Sequence, residues 1–139
     1  MSKTLNTLLK ISQKKLDDQT QVIADLNNKK QAFIDEKARL EQAIITEIDS
    51  VKDDSLAFNM AHNFAVKAKA GIAYLDDQMI KIDELIEQER QNLNTIFLEK
   101  KRHEILLDNY NKKKKAEYER KVQAQMDDFN SIAFINKAK

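Results

Sequence analysis

Apolar residues recur at alternating intervals of four and three along two long stretches of this chain. A walk of four then three residues from Leu5 reaches Leu9, Ser12, Leu16, Gln19, Ile23, Leu26, Lys30, Phe33, Lys37, Leu40, Ile44, Glu47 and Val51. The polar positions on that walk have apolar neighbours such as Val22, Ile34 and Ile48. The same walk from Ala61 reaches Ala65, Ala68, Ile72, Leu75, Met79, Ile82, Ile86, Glu89, Leu93, Ile96, Lys100, His103, Leu107 and Tyr110. Twelve of those fifteen positions are apolar, enough to define a seam. A period of 3.5 residues held this long favours a left-handed coiled coil over an isolated amphipathic helix.

Little in the sequence opposes helix. There is no proline and one glycine, Gly71. Proline costs about 3 kcal/mol inside a helix and glycine about 1 kcal/mol. Gly71 beside the seam reads either as a tolerated weak point or as a place of close backbone approach. Between the two walks lies Asp49-Ser50-Val51-Lys52-Asp53-Asp54-Ser55-Leu56-Ala57-Phe58-Asn59, rich in residues that cap helix N-termini. The pattern predicts a turn here, with Ser55 or Asn59 as the cap. Helix 1 is expected over about 3–52, the turn over about 53–58 and helix 2 over about 59–135.

A short connection between long helices gives an antiparallel hairpin; a continuous rod is the alternative. The expected fold is all-α, a single coiled-coil domain over 1–139 with an overhanging C-terminal helix. With the turn near 55, residue i of helix 1 faces roughly residue 110 − i of helix 2. Everything past about Tyr110 then lacks an intrachain partner. That overhang still carries an apolar stripe of Tyr118, Val122, Met126, Phe129 and Ala133. An unpaired stripe needs a partner protein, a second copy or a fold-back.

Composition narrows the function. Charged residues make up 34% and aromatics 6%, too little bulky apolar mass for a thick globular core. Cysteine is absent, so disulfides and thiolate metal sites are excluded. No apolar run is long enough to span a membrane, and the first residues lack the apolar core of a secretion signal; a cytoplasmic location is expected. Residues 41–90 carry a net charge of −6 and the rest +7, so the chain has an acidic and a basic region.

Candidate chemistry is sparse. His62 and His103 are the only histidines, and neither has a zinc-ligand spacing. One glycine cannot make a phosphate-binding loop. The paired aspartates at 17/18, 53/54, 76/77 and 127/128 read as solvated or capping carboxylates. Lys112–Lys115 could touch a phosphate backbone, but four consecutive lysines fan out around a helix, and only Tyr110 and Tyr118 lie nearby. No catalysis, no cofactor and no nucleic-acid partner are expected.

The stretch Glu119-Arg120-Lys121-Val122-Gln123-Ala124-Gln125-Met126-Asp127-Asp128-Phe129 resembles the FliJ family of flagellar type III export proteins, relatives of the YscO-like virulence secretion stalks. The resembling pattern is Gln123 followed by Met126, Asp127, Asp128 and Phe129. Leu5, Leu8, Leu16-Asp17-Asp18, Val22 and Ile23 also resemble family members. So do Leu40 on helix 1 and Phe64, Ala68, Gly71 and Leu75 on helix 2, although Ala43 and Glu47 stand where the family places tyrosines. The resemblance implies a non-enzymatic stalk whose open end enters the export ATPase hexamer. Tyr118, Val122, Gln123, Met126, Asp127, Asp128 and Phe129 would meet the ring. Leu40, Phe64, Ala68, Gly71 and Leu75 would meet the cytoplasmic domain of the export gate. Export chaperones are further implied partners, and the membrane is reached only through the gate, at the inner-membrane export apparatus. A generic coiled-coil adaptor or chaperone is the alternative, as is a virulence-type stalk.

Overall fold

The computed structural model describes residues 2–51 and 54–138. They form two helices, α1 (Ser2–Ser50) and α2 (Ser55–Ala138), of 49 and 84 residues, in contact with each other. The fold is all-α, as the uninterrupted periodicity implies. Among the described residues there is no strand, no cis peptide and no positive φ.

The connection is shorter than the run of capping residues suggests. Lys52 and Asp53 of the expected turn lie outside the described residues. At the end of α1, the Ser50 hydroxyl donates to the Glu47 carbonyl at 2.8 Å, and the Val51 N–H donates to the Ile48 carbonyl at 3.3 Å. The Asp54 N–H then reaches the Val51 carbonyl at 3.2 Å. Asp54 caps α2. Its carboxylate accepts from the Leu56 and Ala57 N–H groups at 3.1 and 3.2 Å, and its carbonyl accepts the first intrahelical bond, from Phe58 at 2.8 Å. Ser55 and Asn59, the expected caps, are already inside the helix. A carboxylate satisfies two orphan donors and interacts favourably with the positive end of the helix dipole, and a hydroxyl offers less of both.

The chain divides into two compact units. In Leu16–Thr95, which contains the turn, the first part of α2 packs antiparallel on the second part of α1. Ala61, Ala65, Ala68, Leu75, Ile82 and Ile86 are buried. The α1 positions Leu16, Ile23, Leu26, Phe33, Leu40 and Ile44 are half-buried. For Ala61, Ala65 and Ala68 the difference follows from size. An alanine Cβ lies close to its helix axis and disappears beneath larger side chains, which themselves keep one edge in water. Glu47, on the same walk, is exposed. Leu40 meets position 71, one residue from the simple turn estimate: a Cβ built on Gly71 would sit 3.4 Å from Leu40 Cδ1, an ordinary contact. Gly71 is therefore a tolerated weak point, with a side-chain tip rather than a backbone opposite it.

Other polar members of the seam find partners across it. Lys30 Nζ lies 2.7 Å from Asp83 Oδ1, and Lys37 Nζ lies 2.7 Å from Asp76 Oδ1. Seven residues forward on α1 match seven back on α2, the signature of an antiparallel heptad register. Gln19 Nε2 donates to the Glu89 carbonyl at 2.9 Å and to the Glu89 carboxylate. The hydrogen bond to Asp76, helped by the charges of Asp76 and Glu41 against partial burial, raises the Lys37 pKa above its usual 10.5.

The second unit is Met1–Lys15 with Ile96–Lys139. Leu5 is buried, and Leu9, Ile96, Leu107 and Tyr110 are half-buried. Its polar seam members pair as well. Ser12, 2% exposed, shares a hydrogen bond of 3.0 Å with His103 Nδ1, and Lys100 Nζ donates to the Gln13 amide oxygen.

Candidate functional site

The seam of α2 ends for a reason visible in its residues. Continued past Tyr110, the same walk meets Lys114, Glu117, Lys121, Ala124 and Asp128, a charged face that cannot hold an apolar partner. The stripe of Tyr118, Val122, Met126 and Phe129 is displaced from that walk by about one residue, roughly 100° around the helix. It therefore belongs to a different face from the one that binds α1.

Along residues 111–138 only Val122 and Ala133 are half-buried; every other described side chain is exposed. Tyr118 is 68% exposed, Met126 55% and Phe129 71%. Gln123 Nε2 donates to Asp127 Oδ1 at 3.0 Å, one turn along the same helix. The seven expected ring-binding residues therefore fall together on one helical segment without converging on one spot. Val122, Met126 and Phe129 form the stripe. The Gln123–Asp127 pair lies on one flank of it, and Asp128 on the other.

Sequence reasoning missed three residues here. Ile132, Phe134 and Ile135 are 59%, 74% and 54% exposed. Phe134 and Ile135 lie off the stripe, beside Asp127, Asn130 and Ser131. Three large apolar residues in the last turns of an otherwise charged helix were the available signal.

The second candidate set separates on inspection. Ala68 and Leu75 are buried in the seam, and Leu40 and Gly71 are half-buried there. Phe64 alone is exposed, at its edge. The residues that share its outward face are Leu56, Met60 and Tyr74, all exposed. Their spacing of about three or four residues or its multiples puts them on one line along α2.

Lys112–Lys115 are all exposed, with Lys112 Nζ 3.0 Å from Asp108 Oδ2. They point to different sides, so no basic face forms. His62 is exposed, and His103 faces Ser12 rather than a carboxylate. Among the described residues, no three His, Asp or Glu side chains gather where they could hold a metal ion. No described helix is long and apolar enough to cross a membrane.

Elsewhere the titration behaviour is local. Arg39 donates to Glu36 at 2.6 and 2.9 Å, which holds the Glu36 carboxyl below its usual value and raises Arg39. Both side chains face water on one helix turn, as expected for a surface pair rather than a reactive one.

The family described as "Flagellar FliJ protein" matches residues 1–139, the whole chain. No curated protein and no solved structure matches significantly.

Proposed function

The chain belongs to the FliJ family, and on that premise we propose that it is a central stalk whose C-terminal segment enters the hexameric export ATPase. Membership in the family supports a structural role in flagellar protein export rather than catalysis. The observation that carries the finer reading is the exposed segment 111–138, with apolar side chains on more than one side of a single helix. A helix resting on a flat partner needs one apolar face. A helix enclosed by a ring can use several, and Phe134 and Ile135 add a second face to the stripe.

In this reading Tyr118, Val122, Met126 and Phe129 pack against the ring lumen. Gln123, Asp127 and Asp128 present polar groups to its other sides, and the basic root of the segment meets acidic residues at the mouth. The turn end, acidic and carrying Leu56, Met60, Phe64 and Tyr74, is left for the cytoplasmic domain of the export gate, with Leu40, Ala68, Gly71 and Leu75 supporting that face from within the seam. Export chaperones are a third class of partner. The protein works at the cytoplasmic side of the inner-membrane export apparatus.

The test is stimulation of the cognate export ATPase. The parent protein should raise its hydrolysis rate or hexamer fraction. Met126→Asp with Phe129→Asp should abolish that effect while circular dichroism stays at the parent level, because both side chains are exposed. Stimulation undiminished in the double variant would sink the assignment of the C-terminal segment to the ring.

A further inference from the structure

One flank of the C-terminal stripe specifies one kind of cover. On a seven-residue repeat, Lys115, Val122 and Phe129 form one core line, and Tyr118, Gln125 and Ile132 the other. One flank carries Lys114, Lys121 and Asp128, again seven apart. This flank changes sign along the helix, from basic to acidic. Lys121 and Asp128 have no ion-pair partner among the described residues, and both are exposed.

A sign change on one flank is self-complementary only when the second helix runs the other way, because the same flank of two antiparallel helices meets. With Tyr118 against Phe129 of a second chain, Val122 falls against Gln125 and Lys115 against Ile132. Lys121 of each chain then lies beside Asp128 of the other. The two-fold axis generates each contact twice. A parallel arrangement would instead set Lys115 against Lys115 in the core line and leave Lys121 and Asp128 apart.

We propose that this chain forms an antiparallel homodimer through residues 115–132 of α2, with a second copy covering Tyr118, Val122 and Phe129 of the stripe and Met126 left at its edge. The overlap is about 27 Å long at 1.5 Å per residue, short for a stable interface, so the dimer is a weak one. It covers Tyr118, Val122 and Phe129, which the stalk reading gives to the ring. The dimer therefore holds that surface until a tighter partner displaces the second copy. The inference does not rest on the stalk reading, because it is tested on the protein alone.

Sedimentation equilibrium of the full chain from about 5 to 500 µM should show the mass rising from one chain toward two. Lys121→Asp and Asp128→Lys each set like charges together twice and should weaken association roughly ten-fold. The double exchange, Lys121→Asp with Asp128→Lys, should restore it. Because the chain has no cysteine, a mixture of Val122→Cys and Gln125→Cys chains should give a mixed disulfide on oxidation. A monomer throughout the range, a mass above two chains, unaffected single variants, failed rescue, or dominant 122–122 linkage would overturn the proposal.

Discussion

Residues 61–86 and 111–138 belong to the same helix and both carry apolar side chains at helical spacing, yet their fates are opposite. In the first stretch Ala61, Ala65, Ala68, Leu75, Ile82 and Ile86 are buried. In the second no described residue is buried, and the larger apolar residues Tyr118 and Phe129 are more than two-thirds exposed. The difference is α1, which covers one and not the other. Apolar periodicity states that a face wants a cover; it does not state which chain supplies it. The uncovered stretch remains helical because propagation from a formed helix is cheap where nucleation is not. Pairs such as Gln123–Asp127 and Lys112–Asp108 add small local support.

The sharpest way to break this contrast is to truncate one residue in each stretch. Ile82→Ala removes a side chain that is 4% exposed and should cost roughly 2–3 kcal/mol, at the low end for a core because a two-helix seam collapses easily. Phe129→Ala should change stability by less than about 0.5 kcal/mol while weakening partner binding. Denaturant unfolding of both variants at a concentration where the chain is monomeric reads the difference, and equal losses would mean that the C-terminal segment packs within the chain.

A smaller effect concerns the turn that lets α1 cover α2. Asp54→Ala should cost about 1 kcal/mol by orphaning the Leu56 and Ala57 N–H groups, whereas Ser55→Ala should cost little. The reverse order in the same denaturant assay would return the cap to Ser55.

The smallest effect is the response to pH. The folded pKa of Lys37 is raised by Asp76, so its contribution is fully present below the ordinary lysine value of 10.5 and is lost as pH rises through the higher folded value. Asp76→Asn should remove that alkaline dependence by lowering the unfolding midpoint slightly near neutrality, as expected for an exposed pair, so that parent and variant converge at high pH. An alkaline profile identical to the parent's would show that this cross-helix pair is not formed in solution.

Much of the cover was legible beforehand. Every position of the walk from Ala61 to Tyr110 is buried or half-buried, because a 3.5-residue period leaves an antiparallel partner one place to lie. Most polar residues on the walk, Glu47 excepted, proved to be cross-helix partners. Ser12 with His103 could be suspected only once the register was known, and Asp76 and Asp83 lie off the seam altogether. The cap was misplaced by one residue because several adjacent side chains could serve and the path of the chain chooses among them. At the turn end, Phe64 was singled out only through the resemblance, and Leu56, Met60 and Tyr74 were not connected to it. Their common face matters only after α1 has occupied the neighbouring one.

The sequence by itself determined that this chain is helical nearly throughout, where its seam runs, and that the seam turns charged after Tyr110. Those are local properties, set by backbone propensity and by the angle between successive side chains. Only the tertiary structure decided the register that joins Lys30 to Asp83 and Lys37 to Asp76, the choice of Asp54 as cap, and which apolar residues stay in water. These depend on the sum of contacts between residues far apart in sequence. A seam repeating every seven residues permits several such sums, and the turn together with the polar pairs selects one.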